Sequence, residues 1–176
     1  MIREGRCWKF GDNITGDGQI IPVKFVRELV FDKVVLAPHC LEAVNPDFPA
    51  QCSTGDFIVA GRNFGRGNFH PQSHLSILGL GVAVIAESIP RGFWRMGLSL
   101  GLPMLVCPDI TKFVVQGDRV RADFSAGTVT LAGTGEVMQG ERIPTELLEI
   151  VRAGGVLAFL AAERRSDGNS DWRGQK

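Results

Sequence analysis

Most residues able to do chemistry crowd one stretch, Asp56 to His74, which reads DFIVAGRNFGRGNFHPQSH. His70 carries an imidazole with a reference pKa near 6.5, so it exchanges protons close to neutrality. Arg62 and Arg66 are permanent cations of the kind that clamp carboxylates. Asn68 donates and accepts hydrogen bonds but has no basic atom. Gly67 and Phe69 stand between these groups. A second polar set lies upstream, in GDNITGDGQIIPVK: Asp12, Asn13, Thr15 and Asp17, with Lys24 just beyond Pro22. Each set has a plainer reading. The arginines are also ordinary solvated loop charges, His70 a structural histidine, and His74 a helix-surface residue. The Asx side chains of the upstream loop can bond their own backbone.

The elements that must position these groups follow from the pattern around them. The apolar run Phe57 to Ala60 is a buried strand that stops at Gly61. Glycines at 61, 65 and 67 then make a loop, and Pro71 opens a helix to Leu80, since proline is tolerated in a first helical turn. Strand, glycine loop and helix start place backbone N–H groups at a sheet edge, where ligands often sit; an ordinary β–α connection has the same layout. Val82 to Ala86 is a continuous apolar run, as expected of a strand covered on both faces. A helix starting at Pro90 and a strand at Met104 to Val106 continue a β-α-β-α-β series, which favours parallel pairing with right-handed crossovers. Before the series, Cys7 to Phe10 reads as a short strand and Asp12 to Gln19 as a loop. Residues 23 to 37 show no clear period, His39 to Val44 is a helical turn or two, and Asn45 to Thr54 is a loop. After Gly117 the pattern alternates, and Arg119 to Phe124, Thr128 to Leu131 and Glu136 to Gln139 read as a β-meander. Helices follow at Pro144 to Ala153 and Val156 to Ala162. The tail from Ser166 is polar and expected to be disordered. One α/β domain over residues 1–165 is the expected organisation, with a mainly parallel central sheet flanked by helices.

Bulk properties narrow the function. The 176 residues suffice for one domain. Nineteen basic and nineteen acidic residues balance, which gives no global reason to bind nucleic acid or an anionic membrane. No apolar run approaches the roughly 20 residues needed to span a bilayer. The N-terminal MIREGRCWKFGD lacks an apolar signal core. The expected location is the cytoplasm, with the four cysteines as reduced thiols. Cys7, Cys40, Cys52 and Cys107 are scattered without a Cys-x-x-Cys spacing, so no metal or iron–sulfur site is expected within this chain.

The chain resembles the small subunit of 3-isopropylmalate dehydratase, the swivel-domain half of the aconitase superfamily. The resemblance runs from Gly11 to about Leu160. It rests on GDNI with IIP at Ile20 to Pro22, HCLEAVNPDF at 39–48, GDFIVAGRNFGRG at 55–67 and AVIAES at 83–88. GLPML at 101–105 and EIVRAGGVLAFL at 149–160 complete it. It implies a swivelling β/β/α domain that caps a large subunit carrying a [4Fe–4S] cluster, as a heterodimer or heterotetramer. Together the subunits remove and re-add water on a malate-like hydroxy acid, in leucine biosynthesis or a related pathway. The cluster acts there as a Lewis acid on the leaving hydroxyl. The family's small subunit supplies a serine base and a carboxylate-binding arginine from a Gly-Ser-Ser-Arg-Glu loop.

This chain departs from that motif where it matters. After NFGRG it reads Asn68-Phe69-His70-Pro71-Gln72. Asn68 holds the position of the base serine and His70 that of the arginine. Upstream, DNITGDGQIIP carries an insertion, and Lys24 stands for the family's arginine. Two functions follow. In a working hydro-lyase subunit, His70 is the general base beside Asn68, and Arg62, Arg66, Gly67, Phe69, Asp17 and Lys24 bind substrate. In a non-catalytic or regulatory paralogue the fold survives and the Ser/Arg chemistry is gone.

Overall fold

The computed structural model describes residues 1–166. One seven-stranded sheet runs in the order β4-β3-β2-β1-β5-β6-β7. Its strands are β1 (Ile2–Lys9), β2 (Phe57–Ala60), β3 (Ala83–Ala86), β4 (Met104–Val106), β5 (Arg119–Asp123), β6 (Thr128–Leu131) and β7 (Val137–Gln139). β1 belongs to both halves. Its Cys7–Lys9 segment pairs in parallel with β2, Cys7 opposite Phe57. Its Ile2–Arg6 segment pairs antiparallel with β5, Gly5 opposite Val120. β2, β3 and β4 continue the parallel half, and β5, β6 and β7 form the expected meander. The expected parallel sheet and meander are therefore one sheet, joined through β1.

The residue patterns explain the two halves. β2 (FIVA) and β3 (AVIA) are buried at every position, as strands covered on both faces must be. β5 alternates, with Arg119 and Arg121 outward and Val120 and Ala122 inward. At the entry to β2 the buried Asp56 accepts from the Arg6 N–H at 2.9 Å, the Ser53 N–H at 3.0 Å and the Trp8 indole at 3.0 Å. Burial pushes the Asp56 carboxyl up, but these donors and the Arg6 charge outweigh it and hold the group below the usual carboxylate range. Phe48 meets Trp8 and Phe10 edge-on, with ring centroids 5.4 and 5.2 Å apart.

Eight α-helices accompany the sheet among the described residues: α1 (Val23–Arg27), α2 (Lys33–Leu36), α3 (Phe48–Gln51), α4 (Pro71–Leu80), α5 (Arg91–Ser99), α6 (Ile110–Phe113), α7 (Thr145–Ala153) and α8 (Val156–Ser166). Several boundaries differ from expectation. β1 begins at Ile2 rather than Cys7, because its first residues find their partner only in β5, far along the chain. The patternless 23–37 stretch holds α1 and α2, too short to display a period. The 45–54 loop contains the single turn α3, which Pro49 enters in its first turn. α8 extends through Ser166, and the rest of the expected tail lies outside the described residues.

Candidate active site

The two polar loops of the sequence are one site. The chain leaving β1 and the chain leaving β2 emerge side by side, because β1 and β2 are parallel neighbours. Backbone hydrogen bonds then stitch them together: Asn13 N–H to Arg62 O at 2.7 Å, Gly65 N–H to Ile14 O at 2.8 Å, Gly16 N–H to Arg66 O at 3.1 Å, and Asp17 N–H to Asn68 O at 3.1 Å. Asn63 adds a side-chain bond, its Nδ2 donating to Asn13 Oδ1 at 2.9 Å. Both asparagines sit in the left-handed region, φ 62° and 59°, which Asn tolerates better than most residues.

Close packing holds the loop tip. Phe69 is half-buried between Gly16 and Gly92; a Cβ on Gly16 would lie 2.7 Å from the Phe69 Cβ, and one on Gly92 would lie 2.6 Å from the end of its ring. The Phe69 ring packs edge-on against Phe93 at 5.7 Å, and Phe64 meets Phe93 from another side at 5.8 Å. Gly65 permits this slot. Its φ is +80°, and a Cβ there would come within 2.3 Å of the Phe93 ring. Phe69 therefore anchors the loop as a wedge, with Asn68 and His70 exposed on either side of it.

His70 is the N-cap residue of α4, with extended backbone. Its Nδ1 lies 2.8 Å from Asp17 Oδ2; the His70 side chain is 51% exposed and that of Asp17 14%. The two loops thus bring together a base predicted from one and a carboxylate predicted from the other. The arginines differ from each other. Arg62 is committed: its Nε and Nη2 reach Asp12 Oδ2 at 3.2 and 2.8 Å, and its N–H reaches Asp12 Oδ1 at 2.8 Å. The Arg62 side-chain bond is the main reason the Asp12 carboxyl is held below its usual range. Arg66 is exposed, with no side-chain hydrogen bond or ion pair among the described residues. Gly67 is exposed with φ +76°. Lys24 lies exposed on α1, its ammonium 4.8 Å from the centre of the Phe25 ring, and makes no ion pair among the described residues.

His74 is not a surface residue. It is fully buried, its ring 4.0 Å from that of Phe93, with Nε2 2.9 Å from the Phe93 carbonyl. Because a carbonyl only accepts, Nε2 carries the proton. Burial is the main cause that lowers the His74 pKa to about 4, against the opposing pull of the Phe93 and His70 carbonyls. Gln72, Ser73 and Ser76 are buried with it. Ser73 donates to Gly16 O at 2.9 Å and Ser76 to Ser73 O at 2.8 Å, so the polar face of α4 docks on the upstream loop. Sequence reasoning missed this. The signal was present in the first turn of α4, PQSHLS, which offers no apolar stripe and so has no clear outward side.

Comparison with known proteins follows the same lines. No family model matches the chain. The isopropylmalate/citramalate isomerase small subunit of Methanocaldococcus jannaschii is 38% identical over 161 residues, spanning 90% of this chain and 94% of that protein. The 3-isopropylmalate dehydratase small subunit of Pyrobaculum aerophilum is 40% identical over 165 residues, 93% of this chain and all of that one. The chain belongs to the family of 3-isopropylmalate dehydratase small subunits. A further family member, the 2,3-dimethylmalate dehydratase small subunit of Eubacterium barkeri, is 36% identical over 166 residues, 94% of this chain and 100% of that protein. The crystal structure of 3-isopropylmalate dehydratase from Methanocaldococcus jannaschii matches with a TM-score of 0.86 at 31% identity, covering 97% of this chain and 100% of that one. The expected α/β fold is the family fold.

The four cysteines are free thiols, and Cys7, Cys40 and Cys107 are buried. Here burial pushes the Cys7 and Cys40 thiols up to about 12 and those of Cys52 and Cys107 up to about 11. Among the described residues no three His, Cys, Asp or Glu are grouped to hold a metal. No helix among them is long and apolar enough to cross a membrane.

Proposed function

We propose that this chain is the small subunit of a cytoplasmic hydro-lyase that dehydrates and rehydrates an alkyl-substituted malate, completing its active site with a cluster-bearing large subunit of the aconitase type. Its swivel domain spans residues 1–165. The relatives named above are called after isopropylmalate, citramalate and 2,3-dimethylmalate. These acids share two carboxylates and a hydroxyl and differ in their alkyl groups.

The observation that carries the reading is the His70–Asp17 pair on the exposed lip of the site loop. His70 replaces the missing serine as the base. Its Nε2 takes the proton from the carbon next to the hydroxyl-bearing one, and the C–H electron pair becomes the C=C bond as the hydroxyl leaves. The proton taken and the hydroxyl lost make up the released water; hydration runs the same steps backward. Arg66 is the loop cation with no carboxylate partner among the described residues, so it binds a substrate carboxylate, whereas Arg62 is neutralised by Asp12. Asn68 beside it offers its amide as a hydrogen-bond donor. Lys24, whose ammonium lies over the ring of its neighbour Phe25, is a second candidate for a substrate carboxylate.

The test is reconstitution of the chain with its large subunit and an assay on 3-isopropylmalate, citramalate and 2,3-dimethylmalate. Turnover of one of these acids, reduced about 10²-fold or more in His70→Ala and weakened in KM by Arg66→Ala, is the expected result. Inactivity on the whole panel despite an intact cluster supports the non-catalytic paralogue, a reading favoured by the absence of any basic atom at Asn68.

A further inference from the structure

The geometry points to Asp17 as a positioning residue that decides which nitrogen of His70 faces the reaction; this rests on the reading of His70 as the base. Asp17 Oδ2 lies 2.8 Å from His70 Nδ1. An ionised carboxylate has no proton to donate, so Nδ1 carries the hydrogen. A neutral imidazole holds one proton, and Nε2 is left with the lone pair. The buried end of the pair is the carboxylate and the open end is the imidazole, at 14% and 51% exposure.

The main chain that carries the carboxylate is held at both its polar groups. The Asp17 N–H donates to Asn68 O at 3.1 Å, and Thr15 Oγ1 donates to Asp17 O at 2.9 Å. Its second oxygen, Oδ1, is buried with no hydrogen-bond partner. His70 is therefore the side chain to which this carboxylate directs its bonding among the described residues. The position also suits the charge produced by catalysis. A proton arriving at Nε2 makes an imidazolium at the N-terminus of α4, the positive end of the helix dipole, where a cation is disfavoured. The Asp17 carboxylate offsets that charge. The arrangement needs both loops: a histidine where the family places arginine, and an aspartate one strand away.

Two measurements test this. In the full-length chain, nitrogen-15 and carbon-13 shifts of the His70 ring report the tautomer without any turnover. We expect Nδ1–H in the wild type and a change to mainly Nε2–H in Asp17→Ala. Asp17→Asn keeps an acceptor of similar shape and retains more of the Nδ1–H form. An Nε2–H ring in the wild type overturns the proposal, and that result does not depend on the folding of any variant. In the complex, Asp17→Ala should lower kcat about 10²-fold with little change in KM. In the His70→Ala background the same substitution should change kcat by less than about twofold. An equal loss in both backgrounds shows that Asp17 acts otherwise than through His70. If His70→Ala leaves turnover unchanged, the base assignment fails, while the tautomer result still stands or falls alone.

Discussion

His70 and His74 stand one helical turn apart on the same helix and obey opposite rules. His70 lies on the lip of the site loop, half exposed and held by a carboxylate at one nitrogen. His74 lies in the slot beneath, fully buried and held by a main-chain carbonyl, with the Phe93 ring against it. Burial without a counter-charge disfavours the charged ring, so His74 stays neutral through the neutral range. The lip carries the exposed polar groups, and the packed slot beneath fixes where they stand. Phe69 joins the two, its ring in the slot and its neighbours Asn68 and His70 in solvent.

That division can be broken from the slot side first. Gly65→Ala places a Cβ against the Phe93 ring at a left-handed backbone position, and is expected to cost about 4 kcal/mol, read as a lower urea midpoint. A smaller loss means that the slot yields. The next effect depends on pH. The folded pKa of His74 is about 4, below its reference value of 6.5, so the unfolded chain binds the extra proton between them. The stabilisation from this residue is complete above about pH 6.5 and is lost as the pH falls through about 4, a swing of about 3 kcal/mol. His74→Gln should remove that part of the acid slope in denaturation experiments, whereas His70→Ala should leave it unchanged.

On the lip the currency is rate. His70→Ala should reduce turnover of the reconstituted complex by about 10²-fold or more, with a modest stability cost of about 1 kcal/mol, because the mostly buried Asp17 carboxylate loses its partner. A marked loss of stability instead would make His70 a structural residue. Phe69→Ala sharpens the boundary between the regions. Removing the half-buried wedge should cost about 2 kcal/mol in a thermal melt and lower kcat through loop displacement. Full stability with lost activity would move Phe69 from the slot to the substrate.

Much of this was legible in residue order. The apolar runs of β2 and β3, the alternation of β5 and the glycine–proline punctuation around α4 are local signals, and they mark these elements. The glycines of the loop pointed to it as a candidate site. The first half of β1 was not legible, because its pairing partner β5 is remote and the segment has no alternation of its own. The inward side of α4 was hidden for a related reason. Gln72, Ser73, His74 and Ser76 are polar, and a polar residue is assigned to solvent unless its partners are known; those partners include the carbonyls of Gly16 and Phe93.

By itself the sequence determined the family and pointed to the loop from Arg62 to His74 as the candidate site, since both depend on residue identity in order. Only the tertiary structure decided which groups work together. Parallel pairing of β1 with β2 lays Asp17 against His70, gives Arg62 to Asp12 while Arg66 has no side-chain partner among the described residues, and accompanies the inward placement of His74. These are contacts between residues far apart in the chain, and spacing along the chain carries no information about them.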